Sequence, residues 1–152
     1  MTLKIWQLTS IVLSALVAGM FYGPWAALSR SFSTLKPEVF LPIVDRMNRS
    51  MAPIMTILMP ASFLSMVSVL LMSYSDHPAA FYLTLTAFAL LIIALLVTVL
   101  VEVPIVQQIV TWTPSTLPDN WQQLRDRWGK FHIIRIIAGV SGLILLAVAA
   151  IF

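Results

Sequence analysis

"RDRWGKFHIIRIIAGVSGLILLAVAAIF", residues 125–152, decides what kind of protein this is. The stretch opens among charges and aromatic rings, and from Ile136 to Phe152 it carries no charge at all. That charge-free part rises only about 25 Å at ~1.5 Å per residue, short of the ~30 Å hydrocarbon core of a bilayer. A helix built on it spans only by taking in residues from the charged side, so His132 and Arg135 are expected at the membrane boundary or just inside it.

Three further runs lack charge: Ile5–Ser29, Ser50–Ser75 and His77–Val101. Each is long enough to cross a bilayer. The composition agrees, with 60% hydrophobic and 10% charged residues where soluble domains carry about 25% charge, and a mean hydropathy of +0.96. The sequence therefore predicts an all-α, integral membrane four-helix bundle of up-down topology. It reads as a single domain over residues 1–152, with helices at about 5–29, 51–75, 78–112 and 121–152. The small residues of "SALVAG" (14–19) resemble a cleavage site, but the apolar run is long for a signal peptide and only Lys4 precedes it, so it reads as the first span. There is no Cys, hence no disulfide, thiolate metal site or cysteine nucleophile.

Of the nine basic residues, all but Lys4 lie between helices one and two or between and at the ends of helices three and four, whereas "SYSDHPAA" (73–80) has none. The positive-inside rule then predicts a multi-pass protein of the cell membrane with both termini on the non-cytoplasmic side. Trp6 is expected at the outer interface and Trp25, Trp112, Trp121 and Trp128 at the inner one, as ordinary anchors. A pI of about 9.7 does not argue for nucleic acid, because topology and anionic headgroups account for these charges more simply. The partner read from the sequence is the lipid bilayer, with a small aromatic or lipid-like ligand and a homo-oligomer as further readings.

In the first loop, "KPEVFLPIVDRMNRS" (36–50) places Val39, Phe40, Ile43, Val44 and Met47 on one helical face, which predicts a short interfacial helix over about 37–49. Ala15, Gly19 and Gly23 on helix one, and Ala138, Gly139 and Gly142 on helix four, are small residues at spacings that permit close helix packing. Met47, Met51, Met55 and Met59 form a four-residue stripe on helix two. Thioethers suit Cu(I), but adaptable packing is the simpler reading. No repeat, P-loop, dinucleotide fingerprint or nucleophile elbow is present, and four helices without a repeat give no alternating-access machinery.

Glu102 ends the third charge-free run at about the depth that Arg135 reaches from the other side, and helices three and four are antiparallel, so the two can meet. An ionisable residue at that depth marks a functional site or a structural ion pair. Trp128, His132 and Arg135 share a face of helix four, and Thr98, Glu102 and Trp112 a face of helix three beside the helix defect of Pro104. Tyr22, Asn48 and Gln107 or Gln108 reach similar depth. The candidate site is thus His132, Glu102 and Arg135 for chemistry, with Trp112, Trp128, Asn48, Tyr22 and Gln108 around a ligand.

The stretch "VEVPIVQQIVTWTPSTLPDNWQQLRDRWGKFHIIR" (101–135) resembles the signature of the anthrone oxygenase-like family (DUF1772) of small four-helix membrane proteins. The matching positions are Glu102, Val103, Pro104 and Ile105, then Trp112, then Pro118 to Trp121, then Trp128, His132 and Arg135; Val106 departs from the family's Asn. "FLPIVDRMNRSMAP" (40–53) resembles the family's first loop more loosely. The resemblance implies a cofactor-independent oxygenase acting with dioxygen on an aromatic or polyketide-like substrate. His132 would be the base, Glu102 would orient it or serve in its place, and Arg135 would hold an enolate. The alternatives are a non-catalytic membrane protein binding a lipid, quinone or partner helix, and a haem- or copper-binding protein. No cofactor is predicted, since one His and one Glu are too few ligands for a closed metal site.

Overall fold

A computed structural model describes residues 2–152, and the secondary structure of the described residues is entirely helical. The elements are α1 (Thr2–Leu28), α2 (Pro37–Ser73), α3 (Pro78–Val97), a π-helical turn (Thr98–Glu102), α4 (Val103–Ile109) and α5 (Trp121–Ala149). Four helical bodies, Thr2–Leu28, Pro37–Ser73, Pro78–Ile109 and Trp121–Ala149, are long and apolar enough to cross a membrane. This is a multi-pass membrane bundle. Its helices start where the sequence allows: α2 and α3 each open on a proline, whose missing N–H would have no partner in a first turn anyway.

The expected interfacial helix is not a separate element. Residues 37–49 form the beginning of the 37-residue α2, which at ~1.5 Å per residue is about 55 Å long and outruns the hydrocarbon core. Pro42, Pro53 and Pro60 each remove one helix hydrogen bond without ending the helix. Between Pro42 and Pro53 there is neither Gly nor Pro, and Asp45 pairs with Arg49 at 3.0 Å one turn on. The apolar face of this extension also has a protein partner. Phe40, Leu41 and Val44 are buried against Ile105, Ile109 and Trp128 in a second core outside the main bundle core.

The main core joins Val17 and Phe21 of α1, Met59 and Met66 of α2, Ala87, Leu91 and Ala94 of α3, and Ala138 and Leu146 of α5. Small side chains let α5 approach its neighbours closely. A Cβ at Gly139 would meet the Phe21 ring at 3.0 Å, and one at Gly142 would meet the Ala87 carbonyl oxygen at 3.4 Å. The glycines of α1 behave otherwise: a Cβ at Gly19 or Gly23 would meet nothing within 4 Å. The buried face of α1 runs through Gln7, Ser10, Ser14, Val17, Ala18 and Phe21, and positions 19 and 23 lie off that line, so the close packing expected of them does not occur within the chain.

At the end of the bundle holding the termini, Lys4 donates to the Ala150 carbonyl at 2.7 Å and Gln7 to that of Ala149 at 3.1 Å. Ser14 and Ser62 share a buried hydrogen bond of 2.9 Å. At the opposite end, Arg125 is buried, donates to the Ser33 carbonyl at 3.1 Å and pairs with Asp126 at 2.9 Å, tying the first loop to α5. Trp112, Trp121 and Trp128 pack on the second core, so the expected tryptophan belt is largely turned inward here.

Candidate functional site

Backbone irregularity puts Glu102 in the interior. Along α3 the buried positions Ala80, Thr84, Ala87, Leu91 and Ala94 alternate spacings of four and three, whereas Ala94, Thr98 and Glu102 are successive fours. In a regular helix two fours drift about 80° off the face. The π turn absorbs that drift. The Val103 N–H donates to Thr98 O, five residues back, directly before Pro104, which has no N–H to give. Glu102 is consequently only 3% exposed.

Three charged or titratable groups meet there. Glu102 Oε2 lies 2.6 Å from Arg135 Nη1, and Oε1 lies 3.3 Å from His132 Nδ1. Arg135 Nη1 also donates to Thr98 Oγ1 at 3.2 Å, and its guanidinium carbon sits 4.4 Å from the centre of the Phe21 ring, a cation–π contact. His132 Nε2 is 2.9 Å from the Phe21 carbonyl oxygen, and Nδ1 is 2.8 Å from Arg135 Nη2. These partners assign the tautomer. A carbonyl only accepts, so Nε2 carries the hydrogen; a guanidinium only donates, so Nδ1 offers its lone pair. His132 is therefore neutral in this arrangement, and the trio balances one negative charge against one positive. Glu102 Oε1 is buried without a hydrogen-bond partner, an arrangement costing on the order of 1–3 kcal/mol or more.

The trio lies on the wall of a cavity of about 320 Å³ between α1, α2, α4 and α5. The methionine stripe also lines it: Met47, Met51, Met55 and Met59 all do so, joined by Met20 of α1. Asn48, Gln107, Thr98 and Trp128 complete its polar and aromatic lining. Of the residues singled out in the sequence, His132, Glu102, Arg135, Trp128 and Asn48 are thus brought together. Gln107 lines the cavity where Gln108 was expected. Tyr22 is half exposed and packs at a tilt against Trp25, ring centres 5.7 Å apart, on the outside of α1, and Trp112 lines a separate cavity between α2 and the end of α4. Phe21, whose carbonyl and ring both serve the trio, was not singled out. Its place one turn from Val17 on an apolar face carries no signal of that role. Among the described residues no three His, Cys, Asp or Glu side chains come together as a metal-binding group.

A membrane helix bundle with a buried acid–imidazole–guanidinium trio beside a thioether-lined cavity is the class of protein these features define. The chain belongs to the anthrone oxygenase family, whose model matches residues 47–145, from the start of the methionine stripe to beyond Arg135. Comparison with curated proteins and with solved structures found no match.

Proposed function

We propose that this protein is an oxygenase that converts an activated aromatic CH₂ group to a carbonyl with dioxygen, in the cavity between α1, α2 and α5. The observation that supports it is the trio, in which one base, one oriented carboxylate and one cation share a single buried site. The reaction balances as CH₂ plus O₂ giving C=O plus H₂O. His132 Nδ1 takes the first proton, leaving an enolate. The enolate carbon adds dioxygen to form a peroxide that is reprotonated. Loss of the second C–H proton then breaks the O–O bond and releases water. The substrate supplies all the electrons, so this reading calls for no resident cofactor.

The geometry supports a coupled role for the three side chains. Once Nδ1 carries a proton it no longer accepts from Arg135 and turns to Glu102 Oε1, the unpartnered acceptor 3.3 Å away. That exchange frees Arg135 Nη2–H to face the enolate oxygen as charge develops there. Because the resting trio is neutral, a neutral CH acid suits it better than a carboxylate. The basic loops at the end opposite Lys4 support a cell-membrane location with both termini on the non-cytoplasmic side.

The test is turnover of 1,8-dihydroxyanthrone by the detergent-purified protein, measured above the protein-free oxidation rate. His132→Ala is expected to lower that turnover at least ~100-fold while thermal unfolding shows an intact bundle. Equal turnover in a folded variant removes His132 from the mechanism. Binding without any turnover favours a non-catalytic carrier.

A further inference from the structure

A second cavity, of about 240 Å³, lies against the first on the loop side of the bundle. Pro24, Met47, Trp128 and His132 line both, so the two chambers share a wall of these side chains. The rest of the lining includes the aromatic Trp25 and Phe32, the apolar Leu28 and Ile133, Ser29, and the charged Lys130 and Asp126. Position 129 is also in the lining and is a glycine. A Cβ there would meet Phe32 at 3.5 Å, an ordinary contact, but anything longer would run into that ring or into the chamber. Trp128 adds an independent feature. It is 92% buried, and its indole Nε1 is a buried donor without a partner. Such a donor is costly unless something accepts from it, and burying an apolar ring system with one polar acceptor matches a pocket of this make-up.

We propose that this outer chamber is a ligand-binding antechamber. It takes a planar aromatic molecule bearing a carbonyl or phenolic oxygen, which accepts from the buried Trp128 Nε1–H once that indole turns toward the chamber, and passes it across the Trp128/Met47 wall to the cavity of Glu102. That passage rests on the inner cavity being the reaction chamber, whereas binding in the outer chamber does not. Trp128 is here a gate and a positioning residue, while Phe32 and Trp25 supply the stacking faces.

The test uses the whole protein in detergent and a ligand that undergoes no turnover, 1,8-dihydroxyanthraquinone, followed by quenching of tryptophan fluorescence in a stopped-flow instrument. Two phases are expected, a fast concentration-dependent one for the antechamber and a slower one for the inner cavity. Gly129→Leu, which fills the outer chamber, is expected to abolish the fast phase and slow overall association at least tenfold, with equilibrium affinity changed less than threefold. Ile133→Phe, on the same chamber's exposed side, is a second plug should the first variant not fold, with the same expected direction. Association unchanged by both plugs, a single phase in the parent protein, or no quenching at all overturns the proposal. Since the readout is binding, a protein that binds in two phases but never consumes oxygen keeps the antechamber and loses the oxygenase.

Discussion

The two halves of this bundle solve different problems. In the half that holds the termini, α5 lies close against α1 and α3 through Ala138, Gly139 and Gly142, and its interior polar groups are neutral: Ser14 with Ser62, and Gln7 with a backbone carbonyl. In the loop half the helices stand apart around cavities, and the interior holds a carboxylate, a guanidinium and an imidazole. Helices in lipid gain little from hydrophobic burial against one another, so close backbone approach and van der Waals contact carry the terminal half. The loop half gives up that contact and buries charge, which is costly in a membrane interior, and it is there that the proposed function places the ligand. Phe21 joins the two halves, since its ring meets both Gly139 and Arg135.

The contrast can be broken by substitutions, and the largest expected effect is in the loop half. Arg135→Met leaves Glu102 buried with no cation and is expected to cost about 3–5 kcal/mol, whereas adding Glu102→Leu to it is expected to recover most of that loss. Thermal unfolding in detergent reads both. A double variant as unstable as the single one would show that the ion pair itself, and not an orphaned charge, holds the half together. A smaller effect separates two glycines of similar sequence context. Gly139→Val drives a side chain into the Phe21 ring and is expected to cost about 1–3 kcal/mol. Gly19→Val points into open space and is expected to stay within about 0.5 kcal/mol. Equal costs at the two positions would mean that α1 packs on something through its glycine face.

Much of this was legible in the sequence. Charge-free runs of spanning length give the four helices directly, and the depths of Glu102 and Arg135, counted from opposite ends of the apolar runs, bring the two charges together. The methionine stripe is visible as a period, but its place in the lining of the trio's cavity depends on how α2 turns against α1, which a period does not contain. The continuous α2 was missed because an amphipathic stretch with charged flanks looks the same whether its apolar face meets lipid or Ile105, Ile109 and Trp128. Tyr22 is placed by depth alone, and Trp112 by a helical face shared with Thr98 and Glu102 that the end of α4 at Ile109 interrupts. Depth says how far along the membrane normal a residue lies, not which way it faces, and Tyr22 faces out. The reverse holds for Phe21. Its backbone carbonyl fixes the tautomer of His132, and no side-chain pattern announces a carbonyl. The family match over residues 47–145 includes the stretch that carried the resemblance, and it leaves out Phe21 and the rest of α1.

In the proposed reaction the trio takes a proton from a neutral aromatic substrate so that dioxygen can add to it. The most direct measurement is the rate at which the purified protein places one atom of ¹⁸O from ¹⁸O₂ into 1,8-dihydroxyanthraquinone formed from the anthrone, above the protein-free rate, for the parent protein and Glu102→Gln side by side. The account predicts labelling by the parent and a loss of at least ~100-fold in Glu102→Gln, with the variant still folded and still binding the quinone product. Labelling at equal rates in the two proteins would contradict it.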